Sequence, residues 1–126
     1  MQEIQTDAAP ASIGPFSQGI VDGDRIFVSG QGPVDPDSGE VVSDDIGEQT
    51  ERTLKNVAAV LEAGGSSLDA VVKTTVFVTD MSNYDAVNEV YEEYVGDPAP
   101  ARSAVEVADL PIDIGVEIEA IATTDP

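Results

Sequence analysis

Apolar positions along the chain change period several times, and each change marks an element. FSQGIVDGDRIFVSGQ (16–31) holds two apolar runs separated by Asp22-Gly23-Asp24, the residues of a tight turn, and predicts a hairpin. PVDPDSGE (33–40) is turn chemistry throughout. From Asp45 to Ala63 the spacing becomes helical, with Ile46, Leu54, Val57 and Leu61 on one face and Glu48, Glu51, Arg52, Lys55 and Glu62 on the other. Asp45 followed three residues later by Glu48 resembles a capping box, and Gly64-Gly65 supplies the stop. VVKTTVFV (71–78) is β-branched and long enough for a buried strand. Ser82-Asn83 are placed to cap a second helix, whose Tyr84, Val87, Val90, Tyr91 and Tyr94 form an apolar stripe opposite Asp85, Glu89, Glu92 and Glu93. Asp97-Pro98-Ala99-Pro100 ends it, and strands at 102–107 and 115–123 follow, joined by a turn at 110–113.

The order is strand, strand, helix, strand, helix, strand, strand. Each helix has one apolar stripe, so both are expected on the same face of one mixed sheet. The other face, carrying Lys73, Thr75 and Phe77, is too mixed for open solvent and too polar for an isolated core. Self-association through it, with clefts between subunits, follows.

Composition narrows the chemistry. At 126 residues, 41% of them hydrophobic, the chain is a single domain with a true core. No apolar run reaches the roughly 20 residues that span a bilayer, and no signal-like segment opens the chain, so a cytoplasmic protein without membrane partners is expected. There is no Cys and no His, which removes disulfides, thiolate nucleophiles, imidazole bases and most transition-metal sites. No stretch has the spacing of a calcium loop, so no metal site is expected. The net charge of −20, from 25 acidic and 5 basic residues, disfavours nucleic acid. Spread along the chain, it suits a surface hydrated at molar salt, where the Debye length falls to about 3 Å, and points to a halophilic cytoplasm.

Among the cations, Arg52 and Lys55 follow Glu48 and Glu51 by four residues, and Arg25 lies beside the hairpin turn. Lys73 points to solvent or an interface. Arg102 begins a strand directly after a Pro-bounded loop, where a side chain can reach into a cleft. Its planar fork suits a carboxylate, either one on a substrate or a nearby glutamate. Glu117 and Glu119 alternate with Val116, Ile118 and Ala120 and so project from one strand face. Either is a polar outer position or a carboxylate that activates water, and spacing leaves both open. VSGQGP (28–33) puts small residues at a strand end without the pattern of a nucleotide loop.

These segments, in this order, resemble the Rid family of reactive intermediate deaminases, also called the YjgF family. The resemblance is carried by APASIGPFSQG, FVSGQGPVDPDSGEV, QTERTLKNVAAVLEAGGSSLDAVVKTTVFVTDM and PARSAVEVADLPIDIGVEIEAIA, nearly the whole chain. It implies an α+β, chorismate-mutase-like fold over residues 1–126: a six-stranded mixed sheet with two helices on one face, assembled as a homotrimer with active sites between subunits. It further implies cofactor-free hydrolysis of 2-imino acids to 2-keto acids and ammonia. By position, Arg102 matches the family arginine that grips the substrate carboxylate, and Glu117 the glutamate that holds the attacking water. Phe16, Ser29, Gly30 and Asn88 match substrate-site positions, and the backbone at Ala104 would face the ligand. The family often has Tyr where this chain has Phe16 and Cys where it has Ala104. A non-catalytic protein that binds small carboxylates in the same cleft is the alternative reading.

Overall fold

The computed structural model describes residues 1–124. Two strands form the predicted hairpin, β2 (Gly19–Asp22) and β3 (Arg25–Gln31), and Gly23 takes φ +63° in the two-residue loop, a left-handed conformation that glycine adopts without a Cβ clash. A shorter strand, β1 (Gln2–Ile4), pairs with β2 and was not legible in the sequence pattern. Helix α1 (Ile46–Ala63) starts where Asp45 accepts the Glu48 amide at 2.9 Å. The capping box is half made, because the Asp45 amide donates to Ser43 Oγ rather than to Glu48. Strand β4 (Val71–Val78) follows, then helix α2 (Tyr84–Tyr94), β5 (Ala101–Glu106) and β6 (Val116–Thr123). The cap before α2 differs from expectation. A single 3₁₀ turn, Met81–Asn83, intervenes, and Asp80 accepts the Ser82 amide, while the Asn83 side chain caps nothing.

The six strands lie in the order β1-β2-β3-β6-β4-β5. All neighbours are antiparallel except β4 and β5, which α2 connects as a crossover. Both helices pack on one face of the sheet. Ile26, Val28, Val76, Val78, Val116 and Ile118 point up from it, and Leu54, Val57, Val60, Leu61 and Val87 point down onto them. Each fully buried Leu, Ile or Val contributes roughly 1.5–3 kcal/mol, so this layer carries most of the fold's stability. The buried Asn56 Nδ2 donates to the carbonyls of Gly32 and Val34, both at 2.9 Å, and ties the 33–41 turn to α1.

Among the described residues no helix lies over the opposite sheet face. Phe27 is 44% exposed and Val105 40%, among Lys73, Thr75, Phe77, Glu117, Glu119 and Ile121. That mixture is the one anticipated from Lys73, Thr75 and Phe77.

Candidate functional site

Register decides which faces the candidate residues occupy. On β4, Thr74, Val76 and Val78 are buried beneath the helices, and the residues between them face the other way. Arg102 on β5 pairs with Thr74, and Ala104 pairs with Val76, so both lie on the helix side. Glu117 and Glu119 on β6 pair with Phe77 and Thr75, on the open side. The two glutamates share a face as expected. Arg102 and Glu117 occupy opposite faces of the sheet, so one small molecule cannot touch both within one chain.

The Arg102 guanidinium is held by α2. It lies over the Tyr91 ring at 4.8 Å and the Tyr84 ring at 5.5 Å, and its Nη2 donates to the Tyr84 hydroxyl at 2.8 Å. Tyr91 is itself anchored, its hydroxyl 2.7 Å from Thr74 Oγ1 in a buried contact. Among the described residues Arg102 pairs with no carboxylate, although the chain has 25 acidic residues. The reading of Arg102 as a partner for a nearby glutamate therefore loses its basis. Asn88 lies on α2 one turn after Tyr84 and one before Tyr91, on the same helix face. Its Oδ1 is buried without a hydrogen-bond partner among the described residues. Met81, Ser82, Tyr84, Asp85, Arg102 and Ala104 line one shallow hollow.

The second group gathers around Glu117. A Cβ on Gly30 would stand 2.5 Å from Glu117 Oε2 and 2.8 Å from Cδ, so the missing side chain is what lets the carboxylate lie against β3. Burial raises the Glu117 carboxyl above the ordinary carboxylate range, and the nearby charge of Glu119 adds to this. Ser29 holds the adjoining loop. Its Oγ donates to the Ser17 carbonyl at 2.6 Å and its amide to the Gln18 carbonyl at 3.0 Å. Phe16, next in the chain, is 51% exposed. Gln18 pins the N-terminal segment, its Nε2 donating to the carbonyls of Thr6, Ala9 and Pro10 and its Oε1 accepting the Thr6 amide.

The structure thus sorts the candidates into two sets: Arg102, Asn88 and Ala104 on the helix side at the β5 edge, and Ser29, Gly30 and Glu117 around the end of β3. Phe16 precedes Ser17 in the chain and lines a separate hollow with Gln18 and Pro36. Sequence reasoning treated Tyr84 and Tyr91 as core stripe and missed their contact with Arg102. The available signal was their spacing of seven residues on the helix preceding the Arg102 strand. The remaining cations have other settings. Lys55 meets Glu51 at 3.4 Å as predicted, and Arg25 meets Asp24 at 3.3 Å. Arg52 turns to Asn56 Oδ1 at 3.1 Å instead of Glu48, which the buried amide favours by offering an acceptor one turn on. Lys73 donates to Ser103 Oγ at 3.1 Å on the open face.

Comparison with known proteins adds three findings. The model of the family described as Endoribonuclease L-PSP matches residues 6–124. A RutC family protein of Pyrococcus abyssi is 53% identical over 94% of each chain, and the 2-iminobutanoate/2-iminopropanoate deaminase of Salmonella typhimurium is 48% identical over 94% of each. The crystal structure of E. coli TdcF with bound serine superposes with a TM-score of 0.92 at 42% identity, covering 98% of both chains.

Proposed function

The chain belongs to the Endoribonuclease L-PSP family, whose members also carry the names RutC, Rid and YjgF, and from that membership we propose that it hydrolyses reactive 2-imino acids such as 2-iminobutanoate and 2-iminopropanoate to 2-keto acids and ammonia. The observation that carries this reading is Arg102: a guanidinium fixed between two tyrosines, facing a hollow, with no carboxylate of its own among the described residues. A fork so placed binds the carboxylate of a small substrate through two parallel hydrogen bonds. Its deaminase relatives and the serine held by TdcF support a ligand of amino-acid size.

In the proposed reaction Arg102 takes the carboxylate and fixes the C=N carbon. Glu117, ionised, accepts a proton from water as its oxygen bonds to that carbon and the C=N electron pair moves to nitrogen. Glu117 returns that proton to the nitrogen, the carbinolamine hydroxyl gives its proton to the same nitrogen as its oxygen forms the carbonyl, and the C–N bond breaks to release ammonia. Imines hydrolyse unaided, so orientation and one carboxylate suffice, and no cofactor is called for.

Because Arg102 and Glu117 lie on opposite sheet faces, the proposal requires two copies at each site, one giving Arg102, Asn88 and Ala104 and its neighbour Phe16, Ser29, Gly30 and Glu117. Two different patches meeting in this way make a head-to-tail contact, which closes as a ring where its rotation divides a full turn. A homotrimer is the proposed ring, its contacts using the uncovered sheet face. RNA is a poor substrate for this chain despite the family's description. The net charge is −20, and its five cations are scattered over the hairpin turn, α1, β4 and β5. The alternative, a carboxylate-binding protein without turnover, draws on Phe16, which brings no hydroxyl to the site.

The test is to generate 2-iminobutanoate in situ at molar KCl and follow its decay with wild type and Arg102→Ala. Acceleration by the wild type alone supports the deaminase. A folded, assembled wild type that binds 2-oxobutanoate but gives no acceleration favours the binding protein.

A further inference from the structure

The two tyrosines that hold Arg102 use their hydroxyls differently. Tyr91 is 6% exposed, and its hydroxyl is engaged with Thr74 beneath α2. Tyr84 is 37% exposed and lines the same hollow as Arg102. Its oxygen accepts from Arg102 Nη2, and among the described residues its own proton is given to no acceptor. A phenol that accepts from a guanidinium is polarised by that charge, which makes its O–H a stronger donor.

We propose that Tyr84 is a carboxylate-binding residue: its hydroxyl, held beside the Arg102 guanidinium, donates to the same anionic group that Arg102 grips, so that a ligand carboxylate meets a charged fork and a neutral phenol side by side. This rests on the reading that Arg102 receives the substrate carboxylate. Of the five guanidinium N–H groups, one goes to Tyr84 and four remain, enough for a bidentate carboxylate. The phenol adds a third donor, held beside the fork by its 2.8 Å hydrogen bond from Nη2. Selectivity follows from the chemistry. A planar anion accepts from all three donors, whereas a carboxamide or ester offers a single strong acceptor oxygen and leaves donors unmatched. Tyr84 therefore sharpens preference for free acids. The Tyr91–Thr74 contact has the separate task of holding the ring on which the guanidinium rests.

Tyr84→Phe tests this, since it keeps the ring over Arg102 and removes only the hydroxyl. Binding of 2-oxobutanoate is measured by calorimetry at molar KCl, alongside imine-hydrolysis kinetics, for wild type, Tyr84→Phe and Arg102→Ala. The expected result is about tenfold weaker 2-oxobutanoate binding and a matching rise in KM for Tyr84→Phe, with kcat within about twofold and the melting curve unchanged. Arg102→Ala should lose binding altogether. Unchanged affinity in Tyr84→Phe overturns the proposal, as does a fall in kcat at constant KM, which would make the hydroxyl a support for Arg102 only. A wild type that fails to bind 2-oxobutanoate also overturns it. Should wild type bind 2-oxobutanoate in a Tyr84-dependent way yet hydrolyse no imine, the carboxylate assignment stands and the deaminase reading fails.

Discussion

Gly30→Ala separates the chemistry of this site from its architecture. Gly30 does not occupy the left-handed region, so its backbone accepts alanine. The added Cβ would stand 2.5 Å from Glu117 Oε2, 2.8 Å from Cδ and 3.1 Å from Cγ, all atoms of one flexible side chain. Relief to ordinary van der Waals contact moves the carboxylate by about 1 Å, through a χ change costing about 0.5–1.5 kcal/mol. For a domain of this size that corresponds to a fall in melting temperature of about 2–8 °C, and the protein stays folded. A misplacement of about 1 Å at a catalytic group costs on the order of 10²-fold in rate. The variant should therefore melt about 2–8 °C below wild type, bind 2-oxobutanoate through an untouched Arg102, and hydrolyse 2-iminobutanoate about 10²-fold more slowly. Circular dichroism, calorimetry and the imine-decay assay read the three quantities. A Gly30→Ala protein with wild-type turnover, in a background where Glu117→Gln is inactive, would refute the argument that the glycine seats the carboxylate.

Two further predictions concern charge. Glu117 must be ionised to take a proton from water, and burial with the Glu119 charge raises its pKa, so activity should fall on acidification at a pH above the ordinary carboxylate range. Glu119→Gln removes one of the two causes and should move that acidic limb of the kcat profile to lower pH; an unmoved limb would assign it to another group. The same raised pKa means that the folded state binds the Glu117 proton more tightly than the unfolded chain, so this group's contribution to stability grows as pH falls through its folded pKa and is lost above it. At −20 net charge, with ion pairs among the described residues limited to Arg25–Asp24 and Lys55–Glu51, added salt screens more repulsion than attraction. The melting temperature should rise steadily from 0.1 M to about 2 M KCl; a flat or falling curve would remove the basis for the halophilic assignment.

How much was legible in the sequence follows from how local each signal is. The hairpin, α1 and β4 were read correctly because an apolar period and a turn or cap residue lie within a few positions of one another. β1 was missed because Gln2–Ile4 shows a single buried side chain, Ile4, too little to establish a period. Ser82-Asn83 precede α2 as expected, with Asn83 at its N-cap position, but the side-chain cap is Asp80's on the intervening 3₁₀ turn, which leaves no separate mark in the sequence. The sides taken by Arg102 and Glu117 depend on the register of β5 and β6 against β4, which sequence spacing does not encode. β5 itself, ARSAVE, has small residues in both phases, so its alternation does not say which side faces the helices. Rarity and place in the chain singled out Arg102 but left a substrate carboxylate and a nearby glutamate both open as its partner; the substrate role followed only from the family resemblance. The tyrosines that hold it became visible only with the fold.

The most direct test of the account is complementation between two inactive variants. Arg102→Ala keeps Glu117, and Glu117→Gln keeps Arg102, so neither pure protein should hydrolyse 2-iminobutanoate. Mixed in equal amounts, unfolded and reassembled, they should regain roughly a quarter of wild-type activity, since random assortment puts an intact Arg102 opposite an intact Glu117 at about one contact in four. Activity at the level of the two pure variants, in a mixture shown to have co-assembled, would contradict a site shared between neighbouring copies.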